Sequence, residues 1–145
     1  MSILEKAGQA LAGIQSLTVA ECERVFKCEL RLDQANPRQY WGTCLDLNIE
    51  VLDVRLGQTG GIVVARFDES MQPALAEAVR SLGVPEDIDI VSPPLSPASA
   101  SAWSRKWSEA YMIAGAKIWF GLEEIDGSSR LAFVSRSFTT SQTPH

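Results

Sequence analysis

A run of alternating apolar and polar residues that changes phase once, followed by a short glycine-rich turn, constrains this fold most. Residues 45–51 place apolar side chains at odd positions, whereas residues 52–56 place them at even positions. A half-buried strand has a period of two, so this change of phase predicts a β-bulge near Val51. The turn at residues 57–61 leads to another apolar run at 62–67. Because connections this short exclude parallel crossovers, the strands are expected to pair antiparallel.

Other segments carry the usual start and stop signals of helices and strands. Ser2 and Thr18 each begin a capping box, Pro73 suits the first turn of a helix, and Gly83 suits its end. An Asp-Gly pair at residues 126–127 predicts a hairpin turn. The predicted elements are a helix over about 3–16, a helical turn after Thr18, a strand over 25–32, a helix over about 70–82, a short strand over 87–91, a loop over 92–101, a helix over about 98–114, and strands over 117–124 and 131–138.

This order of segments predicts a single α+β domain over residues 1–138, followed by a disordered tail over 139–145. The sheet is expected to be mostly antiparallel, a three-strand meander plus a C-terminal hairpin, with helices packed on one face. Whether the meander and the hairpin share one sheet stays open at this point. With 145 residues and 46% hydrophobic content, the chain can bury one substantial core.

The residue types available for catalysis and metal binding are few. The only histidine is His145, and Cys22, Cys28 and Cys44 have spacings that match no zinc module. The sequence therefore argues against a hydrolase site built on an imidazole, and no phosphate-binding glycine loop precedes a helix. We expect no enzyme activity, no metal, no cofactor and reduced cysteines.

The net charge of −5 restricts the partners of this chain. An acidic protein repels phosphate backbones, which argues against nucleic acid and anionic membranes and favours a basic protein partner. No basic segment followed by a long apolar run begins the chain, and no apolar run is long enough to span a bilayer. We expect a soluble, cytoplasmic protein that is a monomer or a homodimer.

Acidic side chains along the segment 45–56 are the first candidates for contact with a partner. On a strand, Asp46, Asn48 and Glu50 would point to one side at intervals of about 6–7 Å, close to the spacing of phosphates along nucleic acid. Such a row, with Asp53 beyond it, could dock in the basic groove of a nuclease-like protein. The more ordinary interpretation is a solvated sheet face whose carboxylates pair with Lys27 and Arg31.

Tryptophans are the second group of candidates. Trp103, Trp107 and Tyr111 recur at intervals of four, which on a helix places them on one face. Packing into the core explains this stripe more simply than a partner surface, although aromatic residues also concentrate binding energy at interfaces. In the strand over 117–124, Ile118 and Phe120 alternate with Trp119, so one aromatic side chain is left on the outer side.

These features favour a non-enzymatic protein-binding domain. The specific hypothesis is an immunity protein that inhibits a basic toxin or effector enzyme, and an acidic secretion chaperone is its nearest variant. The candidate partner-binding residues are Asp46, Glu50, Asp53, Trp119, Trp103 and Trp107. The alternative is an α+β protein or enzyme with a small-ligand pocket, for which a deep apolar cavity lined by Trp103 or Trp107 would be the sign.

Overall fold

A computed structural model describes residues 2–90, 104–125 and 129–139 of the chain. The predicted loop over 92–101, the hairpin turn predicted at residues 126–127 and residues 140–145 of the predicted tail lie outside this range, while Thr139 ends the last strand. The helices are α1 (Ile3–Ala12), α2 (Val19–Phe26) and α3 (Gln72–Leu82), and the strands are β1 (Arg31–Leu32), β2 (Gln39–Cys44), β3 (Ile49–Gly57), β4 (Gly60–Arg66), β5 (Asp87–Ile90), β6 (Ser104–Ile113), β7 (Ala116–Ile125) and β8 (Ser129–Thr139).

The described strands form one eight-stranded sheet in the order β1-β2-β3-β4-β8-β7-β6-β5, and every pair is antiparallel. β4 pairs with β8, so the meander and the C-terminal hairpin belong to one sheet. The predicted single-domain α+β fold is confirmed.

Helix α1 packs on the sheet through its apolar stripe. Ser2 caps it by accepting a hydrogen bond from Glu5 N, and Leu4, Ala7 and Leu11 are buried. Gly8, which weakens the helix signal in the sequence, is the point of closest approach. A Cβ atom there would lie 2.8 Å from Phe120 Cζ. Gly8 therefore allows the helix to lie directly against β7.

The end of α1 is stabilised by a residue from the opposite end of the described chain. Arg136 on β8 donates from Nη1 to the carbonyl oxygens of Leu11 (2.7 Å), Ala12 (3.3 Å) and Ile14 (3.0 Å). Leu11 and Ala12 lie in the last turn of α1 and Ile14 follows it, so the guanidinium places a cation at the C-terminus of the helix, where positive charge is favourable. The Arg136 guanidinium also lies 4.2 Å from the ring centroid of Phe138.

The strand predicted over residues 25–32 is mostly wrong. Thr18 accepts from Glu21 N and begins α2, which buries Cys22 and Phe26 one turn apart, and Lys27 ends it in the left-handed region. Only Arg31 and Leu32 form a strand. The apolar residues 22, 26 and 30 suit a helical spacing as well as an alternation, and the cap at Thr18 decides for the helix.

The helix predicted over residues 98–114 is also wrong within the described range, because residues 104–113 form β6. An interval of four residues is a multiple of two, so it fits a strand as well as a helix. Pairing with β5 on one side and β7 on the other favours the strand. Gly115, predicted to end the helix, instead forms with Ala114 a two-residue hairpin turn in which both φ angles are positive.

The region over residues 45–51 is only partly the predicted strand. Leu45–Leu47 form a 3-10 turn, Asn48 adopts a left-handed conformation with φ of 55°, and β3 begins at Ile49. The predicted bulge near Val51 is confirmed, since residues 49–52 of β3 lie opposite residues 42–44 of β2. Strand β2 is absent from the prediction because its residues do not alternate.

The two faces of the sheet carry different side chains. The helix face presents the apolar core, including Leu52, Val63 and Phe120, to α1 and α3. The second face is made by the residues between them. One cross-strand row of this face runs through all eight strands: Arg31, Trp41, Asp53, Val64, Ser135, Trp119, Ala110 and Asp87.

Candidate functional site

An acidic groove lies where the 3-10 turn at residues 45–47 meets the start of the second 3-10 turn at residues 69–71. Its volume is about 540 Å³. Glu50 and Asp68 contribute its charges, and no lysine or arginine lines it. Leu45 projects into solvent beside them with 83% of its surface exposed. The lining residues are Thr43, Leu45, Asn48, Ile49, Glu50, Asp68, Ser70 and Met71.

Local backbone features produce this arrangement. Asn48 N donates to Leu45 O and closes the 3-10 turn, so Leu45 cannot follow the strand into the core. The bulge then directs Glu50 to solvent although its neighbours Ile49 and Leu52 are buried. Thr43 Oγ1 donates to Glu50 O at 3.0 Å and holds the bulge against β2. Asp68 caps the other 3-10 turn by accepting from Ser70 N.

A second groove, of about 870 Å³, shares Thr43 and Glu50 with the acidic groove. Trp41 is half-buried in it and donates from Nε1 to Asp33 Oδ1 at 2.9 Å. Charged side chains of both signs surround the tryptophan. The lining residues are Glu23, Lys27, Cys28, Glu29, Arg31, Trp41, Gly42, Thr43, Glu50 and Val51. This groove is open and charged, unlike the deep apolar cavity expected of a small-ligand pocket.

The predicted acidic residues do not form the predicted row. Asp46 lies in the 3-10 turn and Glu50 at the bulge, so both are exposed but they do not share one side of a strand. Within the described residues neither carboxylate forms an ion pair, and the expected pairing with Lys27 and Arg31 does not occur. Their charges are therefore not neutralised by neighbours.

Asp53 is a structural residue instead of a surface candidate. Its side chain is 1% exposed and accepts from Arg66 Nη1 at 3.0 Å and from Gln39 Nε2 at 3.1 Å, with Arg55 Nη2 at 3.3 Å. Arg66 also donates from Nε to Glu123 at 3.1 Å. Burial opposes the charge on Arg66, but the hydrogen bond to Asp53 and the charge of Glu123 outweigh it, so the pKa of this guanidinium is raised.

The tryptophans have separate positions. Trp119 is half-buried on the second face, as the alternation with Ile118 and Phe120 requires, and Lys117 Nζ lies 5.3 Å from its ring centroid. Trp107 lies on β6, but its side chain is outside the described set, and Trp103 is outside the described range altogether. Tyr111, the last member of the stripe, is buried and its ring packs edge-on against Phe120.

Two residues that the sequence analysis did not select, Leu45 and Trp41, line these grooves. The alternation over residues 45–51 assigned Leu45 to the core, and only the left-handed Asn48 overturns that assignment. Asparagine tolerates this conformation better than most residues, so Leu47-Asn48 is the signal from which a turn could have been predicted. Trp41 follows a proline turn in a segment without alternation.

The three cysteines are free thiols, and their environment should make them unreactive. Burial, together with nearby Cys44 and Glu23, raises the pKa of the Cys28 thiol to about 11, and burial raises that of Cys22 to about 11. At pH 7.5 a thiol with this pKa has roughly 300-fold less thiolate than an unperturbed cysteine. The cysteines thus lack the lowered pKa that a nucleophile or redox sensor requires.

We predict that iodoacetamide alkylates Cys28 in the folded protein slowly at pH 7.5, with a rate that rises about tenfold per pH unit and does not level off near pH 8.5. Because these thiols hold their protons more tightly when folded, their contribution to stability should be constant below about pH 8.5 and should fall as the pH rises towards 11. Mass spectrometry of digested peptides measures the rates, and urea-unfolded protein is the control. Alkylation of folded Cys28 at the unfolded rate would contradict the prediction.

Within the described residues no cluster of three or more histidine, cysteine, aspartate or glutamate side chains could hold a metal ion. None of the helices described is long and apolar enough to cross a membrane. Comparisons with protein-family models, with curated proteins and with solved structures find no match to this chain.

Proposed function

We propose that this chain is a non-enzymatic, cytoplasmic protein-binding domain whose acidic groove receives a basic surface of a partner protein. One observation carries the proposal: the groove combines carboxylates that form no ion pair among the described residues with the exposed side chain of Leu45, and it has no basic residue in its lining. Asp46, next to Leu45 in the 3-10 turn, extends the acidic surface.

Charge and exposure both favour a protein ligand. An apolar side chain surrounded by polar ones has the arrangement of a small interface, with an apolar centre and a solvated rim. The unneutralised carboxylates attract a basic partner over a distance set by the Debye length, about 8 Å at physiological salt. Electrostatic attraction of this kind mainly raises the association rate and selects the sign of the partner's charge.

The more specific form of the proposal is an immunity or inhibitor protein that neutralises a basic toxin or effector enzyme, with a secretion chaperone as its nearest variant. The small size, the net charge of −5 and the acidic groove support it. An inhibitor of this kind needs no catalytic group of its own. It acts by occupying a basic surface that the toxin uses for its substrate.

We expect the double variant Asp46→Lys/Glu50→Lys to lose the partner, because it replaces attraction by repulsion at the groove. Loss should exceed about tenfold in affinity, whereas the melting temperature should stay nearly constant because both side chains are exposed. The measurement is affinity capture from the source cells, followed by titration of the purified partner with each variant. If the partner is an enzyme, its activity with and without this chain tests inhibition directly.

Single variants separate the groove from the net charge. Glu77→Lys makes the same charge reversal as Glu50→Lys on the exposed side of α3, and it should bind normally. Leu45→Ser removes the apolar centre and should weaken binding without a change in salt dependence. Equal binding by the wild type and Asp46→Lys/Glu50→Lys would disprove the role of the groove.

A further inference from the structure

The sheet has a second surface suited to a protein ligand, at the edge opposite the acidic groove. Strand β5 is the last strand of the sheet and pairs only with β6 among the described strands. Ile88 on this strand has 55% of its surface exposed, and Val84, in the connection that leads from α3 into β5, has 91% exposed. Exposed apolar side chains on an edge strand are a common place for another chain to add.

The backbone at this edge offers a hydrogen-bond donor that is held by a side chain. Ile88 N donates to Asp87 Oδ1 at 2.9 Å, whereas Asp87 Oδ2 accepts from Lys117 Nζ at 3.0 Å. The amide of Ile88 is therefore directed to the neighbouring carboxylate and not across to β6. An added strand can supply a carbonyl oxygen in place of Asp87 Oδ1, and that oxygen is then free to accept from a partner's cation.

The side chains of β5 define which strand would fit. The sequence of the strand is Asp-Ile-Asp-Ile, and its register with β6 places Asp87 and Asp89 at positions of the second face. Ile88 lies at a position of the helix face, opposite Glu109. Directly opposed residues of antiparallel strands interact, so an added strand gains most from basic residues beside the aspartates and apolar residues beside the isoleucines.

From these contacts we propose that β5 is a docking edge for an extended segment of a partner protein in which basic and apolar residues alternate. The segment adds to the sheet as a ninth strand and gains its affinity from main-chain hydrogen bonds and its specificity from the alternate side chains. A second copy of this chain is a poorer occupant, because antiparallel β5 strands would bring aspartates from the two copies together, and like charges opposed across a sheet destabilise it.

This inference is independent of the acidic groove. The groove lies beside β2 and β3, whereas β5 is at the other end of the strand order. The two surfaces can therefore be tested separately on the same intact protein.

The probe is the peptide acetyl-Gly-Lys-Val-Lys-Val-Lys-Gly-amide, titrated into isotope-labelled protein. We expect saturable shifts of the Ile88 and Asp87 amide signals, slower hydrogen exchange at Ile88, and a change in the fluorescence of Trp119, whose ring is near Lys117. Asp87→Lys should weaken binding about tenfold, because it converts a cross-strand attraction into a repulsion. Glu77→Lys and Asp46→Lys/Glu50→Lys should bind the peptide normally.

Modified peptides leave the protein unchanged and distinguish strand addition from charge attraction. The same peptide with N-methylated valines keeps its charge but cannot complete a β-ladder, and the peptide with glutamate in place of lysine keeps its backbone but reverses its charge. Both should lose binding. Equal affinity for the N-methylated peptide, or shifts centred on residues away from β5, would overturn the proposal.

Discussion

Replacing Arg66 by methionine should lower the free energy of unfolding by about 3–5 kcal/mol, the range found when one partner of a buried ion pair is removed. The reason is the carboxylate left behind. Asp53 is 1% exposed, and without Arg66 its partners among the described residues are Gln39 and the more distant, half-exposed Arg55. Urea unfolding followed by circular dichroism measures the change.

The matched control for this prediction is Arg55→Met, which removes a cation from the same carboxylate. Arg55 has a side chain that is 54% exposed and lies 3.3 Å from Asp53, so its removal should cost less than about 1 kcal/mol. The double variant Asp53→Leu/Arg66→Met should recover part of the lost stability, because the carboxylate that is 1% exposed is removed together with its cation, whereas Glu123, whose side chain is 18% exposed, loses Arg66 in both variants. Equal destabilisation by Arg66→Met and Arg55→Met would contradict the assignment.

The second large effect is expected at Arg136. Replacing it by methionine keeps the aliphatic part of the side chain but removes the donor to three carbonyl oxygens at the end of α1. Hydrogen bonds from a charged donor contribute about 1.5–3 kcal/mol, so a loss of about 2–3 kcal/mol is expected. Hydrogen exchange should become faster in α1 more than in α3, because the helix loses its contact with β8.

Arg136→Lys refines this test. A lysine retains the favourable charge at the helix terminus, but its single ammonium group cannot copy the fixed fork of a guanidinium. An intermediate loss of stability is expected. Arg38→Met, at an exposed position, is the control for removing an arginine and should change stability little. Full stability in Arg136→Met would show that solvent satisfies the three carbonyls.

Elements with capping or turn residues could be predicted from the sequence. The caps at Ser2 and Thr18, the terminator Gly83 and the short turn before β4 each determine local structure through nearby atoms. The antiparallel pairing of β3 with β4 followed from the length of the turn between them. These are physical constraints within a few residues, which a single sequence contains.

The errors arose where two periods fitted the same residues. Trp107 and Tyr111 have a spacing that both a helix and a strand accept, and the pairing with β5 and β7 decides between them. Pairing between distant strands is not contained in the local sequence. The same limit applies to Asp53. Its residue type alone does not predict that it is buried, paired with Arg66 and hydrogen-bonded by Gln39.

Of the proposed contact surface, the sequence supplied Asp46 and Glu50 but not their geometry. The sequence predicted a solvated row of carboxylates along one strand. In the structure, the left-handed conformation of Asn48 and the bulge in β3 bend this segment, so that it forms one wall of the groove. The exposure of Leu45 was not predicted for the same reason. Apolar residues are assigned to the core by default, and an exposed one becomes visible only when the backbone path is known.

The pairing of β4 with β8 also determines when this protein can fold during its synthesis. Roughly 60 residues lie between the end of β4 and the start of β8, and at about 5–20 residues per second a ribosome needs about 3–12 s to add them. Throughout that interval the nascent chain carries β4 with one edge unpaired and α1 without Arg136. The unpaired edge of β4 is the surface that a chaperone for apolar strands would bind in this incomplete chain. In the finished protein that edge is covered by β8.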